Sequence, residues 1–187
     1  MGVLIKFPFE FKGTPKAEGT DTPKVKPATG ESAGKVIFEY AEGLEEYKAA
    51  VEKHGVAALH SETFDEDITI SLVADMTIGG AMQVDPSAPT TIKVNTRNIG
   101  YAEWGSAEIA STVGHEVIHV KEIKMRLAAG LPVTDRFRWQ SENNATQWQR
   151  DNKSHFGLKY KSDYMEWVRD YQKIALKCQM NLNADGC

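Results

Sequence analysis

The stretch that most constrains this chain is a helical period running from Ser106 to about Ala129. Ser106 is a residue type favoured at a helix N-cap, and Gly130 and Pro132 supply the stop signals. Ile109, Val113 and Val117 make one apolar line, and Ala110, Gly114 and Ile118 make the next. A helix apolar over so broad a face has to be buried, which makes it the centre of whatever domain forms around it. Yet its middle reads His115-Glu116-Val117-Ile118-His119. Residues four apart share one face of a helix, so both imidazoles can turn a ring nitrogen toward one cation. Glu116 lies about 100° round the helix from His115, within reach of a water on that cation. This is the H-E-x-x-H arrangement, two zinc ligands and a general base. A helix whose histidines merely sit at a boundary would show the same letters. The adjoining apolar face argues for the site.

The rest of the chain reads as one α+β domain with a short mixed or antiparallel sheet packed on this central helix. Val36, Phe38 and Tyr40 alternate as a strand, and Leu44, Tyr47 and Val51 then take helical spacing up to Gly55. Ile68, Ile70, Leu72 and Ala74 alternate with Thr69 and Ser71, the signature of a half-buried strand that Gly79 and Gly80 end. Turn signals at Asp85-Pro86 and Ala88-Pro89 precede another short strand, residues 90–95, with Ile92 and Val94 on one face. After the central helix, a second is expected from Thr134 or Asp135 to about Phe156, ended by Gly157. Its apolar residues are few. A third, from Ser162 to Cys178, carries Tyr164, Trp167, Val168, Tyr171, Ile174 and Ala175 at helical spacing, a stripe suited to core packing.

Residues 1–11 form a short apolar stretch with Pro8 inside it, compatible with an edge strand. Residues 12–34 offer almost nothing to bury, and four of the seven prolines fall within the first 27 residues. The expected division is therefore an N-terminal strand and linker or arm over 1–34 and a catalytic domain over 35–187. A strand followed by such a linker suggests the tail of something larger; an arm packed on its own domain is the alternative.

A net charge of -4 argues against nucleic acid as a partner, since phosphate neutralisation calls for a basic surface. No apolar run approaches the roughly 18 residues of a membrane span, and the first 11 residues are too short and interrupted for a signal peptide. A soluble protein without its own signal is expected. Cys178 and Cys187 could close a small disulfide or stay as two thiols. Cys178 as a nucleophile is a weak rival to the histidine site, because it lies on an apolar stripe where cysteine packs as a small hydrophobe. His54 and His60 read as ordinary surface or boundary histidines.

A catalytic zinc needs a third protein ligand and an open position. The extended H-E-x-x-H-x-x-G-x-x-H set is excluded, since Glu122 stands at its glycine and Met125 at its last histidine. Glu122 lies about 10 Å along the helix from His115, which suits an ion pair or an outer contact better than ligation. If the central helix and the next form an antiparallel hairpin, residues equidistant from the turn lie side by side. His119 is 13 residues before position 132 and Glu142 is 10 after it, so Glu142 is favoured, with His155, Asp163 and Glu166 as alternatives.

With Glu142-Asn143-Asn144-Ala145 following the motif, residues 90–156 resemble the gluzincin division of zinc metallopeptidases. That resemblance implies a small zincin-like fold in which an edge strand ahead of the motif helix aligns an extended peptide; residues 90–95 are the segment expected to match it. It also implies Zn²⁺ held by His115, His119 and Glu142, with Glu116 taking a proton from the zinc-polarised water as it attacks a carbonyl. A donor to the oxyanion would come from His155, Tyr160 or Tyr164. A compact module behind a Pro/Gly/Lys-rich linker further resembles the C-terminal toxin modules of bacterial polymorphic toxins and of type VI secretion spike or Rhs effectors. The implied partners are a protein or peptide substrate, a larger secreted protein as carrier and an immunity protein in the producer, with delivery into another cell. Two other readings stay open: a non-catalytic module that uses the metal for stability, and a zinc amidase acting on cell-wall peptides.

Overall fold

A computed structural model of the chain describes residues 34–61, 66–184 and 187. The strand expected over 1–11, and the linker up to residue 33, lie outside the described residues. In chain order the elements are β1 (Val36–Tyr40), α1 (Glu45–Lys53), α2 (Val56–His60), β2 (Ile68–Ala74), β3 (Met82–Asp85), β4 (Ala88–Val94), α3 (Thr96–Tyr101), α4 (Ser106–Ala128), α5 (Asp135–Asn152) and α6 (Asp163–Met180). This is the expected α+β architecture. The sheet runs β1-β2-β4-β3, with β1 and β4 both parallel to β2 and β3 antiparallel to β4.

The inward faces of the strands supply Ile68, Ile70, Leu72, Ile92 and Val94, all nearly or fully buried, and α4 lies against them with Ile109, Val113, Val117 and Val120. Alternation with period two on the sheet and a wide apolar face on the helix bury the same core from two sides. The residues of α4 that turn away from the sheet are buried as well, Ser111, Thr112, His115 and His119 among them, because α5 and α6 cover them. At Gly114 the side chain of Trp148 from α5 packs directly on α4: a Cβ there would sit 2.2 Å from the Trp148 ring. Any larger residue would push α5 outward, so this glycine sets the spacing between the two helices that carry the site.

Several boundaries differ from the sequence expectation. The N-cap of α4 is Gly105, with Ser106 already helical and its Oγ bonded to Lys53 Nζ at 3.1 Å and His54 Nε2 at 3.3 Å. The hydroxyl is thus spent on α1 rather than on capping. Met82–Asp85, which the glycine pair and the turn signals obscure, is a strand, and Asp85 Oδ1 accepts from Ser87 N and Ser87 Oγ to close its hairpin with β4. The segment expected at the sheet edge, residues 90–95, is instead interior: β4 lies between β2 and β3, and the edges are β3 and, on the far side, β1. α5 ends at Asn152, four residues earlier than expected, and the chain turns through Gly157 at φ 71°.

His60 is fully buried and stacks on Trp148 with ring centroids 4.6 Å apart, not at the boundary where its sequence context places it. Burial, and secondarily Lys121, push its pKa down from 6.5 to about 3. The unfolded chain takes up a proton below about pH 6.5 that the folded chain refuses until about pH 3. This contribution to stability is therefore complete above pH 6.5 and is lost as pH falls, at up to about 1.4 kcal/mol per unit. Denaturant unfolding of the wild type and His60→Phe, which keeps an aromatic ring against Trp148, should show a steeper loss for the wild type between pH 6.5 and 4. Parallel curves would contradict a neutral buried histidine.

Candidate metal centre

α4 and α5 form the antiparallel hairpin that the spacing implies. Pairs linked across it, His119 with Ser141, Glu122 with Asn144 and His115 with Gln149, all lie roughly equidistant from the turn. Thr134 caps α5 by accepting from Phe137 N at 3.3 Å, which starts that helix in the register needed. Glu142 then projects toward the histidine pair.

His115, His119 and Glu142 come together as one cluster able to hold a metal ion. The two Nε2 atoms are 3.0 Å apart, and Glu142 Oε2 lies 3.2 Å from that of His115 and 3.5 Å from that of His119. Ligand atoms around a tetrahedral ion with bonds of about 2.0–2.1 Å sit about 3.3 Å from one another, so the three separations suit one small cation. Two further observations fit a metal. Glu142 Oε2 is buried and has no hydrogen-bond partner of acceptable geometry. Both Nδ1 atoms are engaged on the far side of their rings, with Gln149 Oε1 at 2.9 Å and Ser141 Oγ at 2.6 Å, which leaves the Nε2 atoms for the cluster.

Without a metal the same geometry is held by charge. Burial alone would depress the His119 imidazole, but Glu142, joined by Glu116 and Glu122, outweighs it and raises the pKa to about 9. Burial raises Glu142 in turn, and the two imidazoles overcome this and hold it well below the usual carboxylate range. A cation would take the place of that proton, so metal uptake releases it. Glu116, 5% exposed, has its pKa raised by burial, an effect the neighbouring imidazoles partly oppose.

Glu116, His119 and Glu142 line a cleft of about 490 Å³. Met82 and Val84 of the edge strand β3 line it too, as do Phe137 and Trp139 of α5. So does Tyr171, which the sequence reading absorbed into the core stripe of α6. Burial, then Glu142 and Glu116, push the Tyr171 phenol far up, so it remains an O–H donor. The signal that could have found it is its place seven residues after Tyr164, on the same helix face but one end closer to Glu142.

The other candidates lie elsewhere. Glu122 accepts from Asn144 Nδ2 at 2.7 Å, an outer contact that ties α4 to α5. His155 donates from Nε2 to the His54 carbonyl at 2.6 Å and is exposed. Tyr160 is 53% exposed beneath the Arg169 guanidinium, and Glu166 pairs with Arg169 at 3.7 Å. Asp163 opens α6 in its first turn. Tyr164 is buried behind the histidines, bonded to Thr112 and Gln149, and does not line the cleft. Cys178 is bonded to Cys187 in a disulfide, which removes it as a nucleophile. No described helix is long and apolar enough to cross a membrane. Compared with protein-family models, with curated proteins and with solved structures, the chain matches none, so what is said of its function rests on this geometry.

Proposed function

We propose that the chain is a zinc-dependent metallopeptidase. The observation that carries this reading is the His115, His119 and Glu142 cluster, of which His119 and Glu142 stand in the wall of a cleft that Glu116 also lines. Two imidazoles and one carboxylate are a catalytic zinc set, three protein ligands with a position left for water. The ion supplies a Lewis acid and a water whose pKa is brought toward neutrality.

The chain's own residues do the rest. Glu116, raised in pKa by burial, accepts the proton of the attacking water and returns it to the departing amine. Tyr171, held protonated beside Glu142, donates its O–H to the carbonyl oxygen as charge develops there. Among the described residues no strand pairs with the outer edge of β3, so its main-chain groups are available to an extended peptide. The setting that fits is a delivered bacterial effector or toxin module, restrained in its producer by an immunity protein. Supporting this are the linker-like composition of residues 12–34 and a disulfide that suits an oxidising destination.

The test is metal content with activity. Purified protein should carry one zinc per chain and cleave an unfolded protein substrate, with activity lost on chelation and restored by zinc. Absence of stoichiometric zinc would refute the reading. Cleavage of peptidoglycan peptides alone would turn it into an amidase.

A further inference from the structure

Behind the histidine pair runs a buried polar chain that begins and ends on α4 and crosses α6 and α5 on the way. Thr112 Oγ1 is 2.9 Å from the Glu108 carbonyl and 2.9 Å from Tyr164 Oη. Gln149 Nε2 is 2.6 Å from the same Tyr164 oxygen, and Gln149 Oε1 is 2.9 Å from His115 Nδ1. None of Thr112, Tyr164 and Gln149 lines the cleft, so none can touch a substrate there.

The direction of every bond in this chain follows from its first member. A carbonyl only accepts, so the one Thr112 proton goes to Glu108. Thr112 Oγ1 must then accept from Tyr164, whose proton is thereby used. Tyr164 oxygen can only accept from Gln149, which requires the amide nitrogen to face it. The Ser111 carbonyl, 3.5 Å from Gln149 Nε2, favours the same orientation. Gln149 Oε1 is left facing His115 Nδ1, and a carbonyl oxygen there demands an N–H. Reversing the amide would turn its oxygen toward the Ser111 carbonyl and cost Thr112 its bond either to the Glu108 carbonyl or to Tyr164.

We propose that Thr112 and Tyr164 are positioning residues that, acting through Gln149, fix His115 as the Nδ1–H tautomer. Its Nε2 lone pair is thereby aimed at the position shared with His119 and Glu142. This inference rests on the metal-centre reading for its purpose, but the tautomer is a property of the metal-free protein. It also ties the packing of α6 to the ligand set, although α6 contributes no ligand.

The test combines ¹⁵N-resolved NMR of the His115 ring in metal-free protein, at mildly alkaline pH, with zinc affinity by chelator competition. The wild type should show His115 protonated at Nδ1. Thr112→Val removes the acceptor of the Tyr164 proton and leaves the Gln149 amide and the Ser111 hydroxyl beside it, which frees the amide to reverse and moves His115 toward the Nε2–H form. Zinc affinity should fall about tenfold or more in the same variant, as the loss of outer partners generally does. Thr112→Ser should restore both readouts, which a merely structural role for the methyl group would not. Tyr164→Phe should act in the same direction as Thr112→Val. Nε2–H in the wild type, or Thr112→Val with unchanged shifts and affinity, would overturn the proposal. Nδ1–H in a wild type that binds no zinc would keep the relay and fail the metal reading instead.

Discussion

Glu116→Gln should keep its zinc and lose about 10²- to 10⁴-fold in kcat, the range that a positioned acid–base group contributes. The side chain keeps its shape and remains among the same buried neighbours, so the fold has no steric reason to change. What changes is the ability to hold a proton. Glu116 is buried on α4 between the two histidines in sequence but outside the cluster formed by His115, His119 and Glu142, so ligation does not depend on it. Burial raises its pKa while the imidazoles oppose the rise, and the net upward shift makes the carboxylate a better proton acceptor. A metal that served stability alone would give a different outcome. Exchange of a buried carboxylate for an amide would then leave any activity unchanged and raise the melting temperature. Zinc content, kcat and unfolding temperature measured on one preparation separate the two readings.

What the sequence revealed followed from periodicity, and what it hid followed from chemistry that periodicity does not register. α4 was legible because Ile109, Val113, Val117 and Val120 meet a sheet, and burial against a sheet writes an apolar line into the helix. α5 was legible only in outline, since the face it turns to α4 carries Ser141, Glu142, Thr146 and Gln149, all of which a hydrophobic pattern scores as solvent-facing. Ser141, Thr146 and Gln149 are buried and Glu142 is half-buried because they bond to one another or face the histidines, an arrangement visible only once two helices are side by side. Tyr171 was hidden in the opposite way: aromatic spacing on α6 is satisfied equally by a core contact and by a cleft wall. The edge strand was misplaced for a third reason. Four residues, Met82 to Asp85, are too few for alternation to stand out beside a glycine pair, whereas β4 shows its pattern strongly because it is interior. Glu142 lies beside the histidines, where counting from the turn places it, because α4 and α5 are regular up to a short connection.

Glu142→Ala should reduce zinc affinity by at least about 100-fold, beyond the usual 10- to 100-fold cost of losing an outer partner, while Glu166→Ala leaves it unchanged. Glu166 pairs with Arg169 on α6, so its carboxylate is already committed elsewhere. Among the described acidic residues, Glu142 alone brings an oxygen to within 3.5 Å of both histidine Nε2 atoms. The metal-free protein offers a second readout. His119 has a folded pKa of about 9 against 6.5 unfolded, because the lowering by burial is exceeded by the rise from Glu142, with Glu116 and Glu122 adding to that rise. A raised histidine pKa contributes stability that is complete below pH 6.5 and is lost as pH rises through 9. Zinc-free wild type should therefore weaken between those limits, at up to about 1.4 kcal/mol per unit, and zinc-free Glu142→Ala should weaken less, because the carboxylate that contributes most to the raised value is gone while Glu116 and Glu122 remain. Zinc reverses the wild-type trend, since ligation requires the neutral imidazole and is favoured as pH rises. Denaturation curves at pH 6.5 and 9, with and without zinc, thus distinguish a glutamate that ligates from one that merely neutralises its neighbours. Equal zinc retention in the two alanine variants would remove Glu142 from the ligand set.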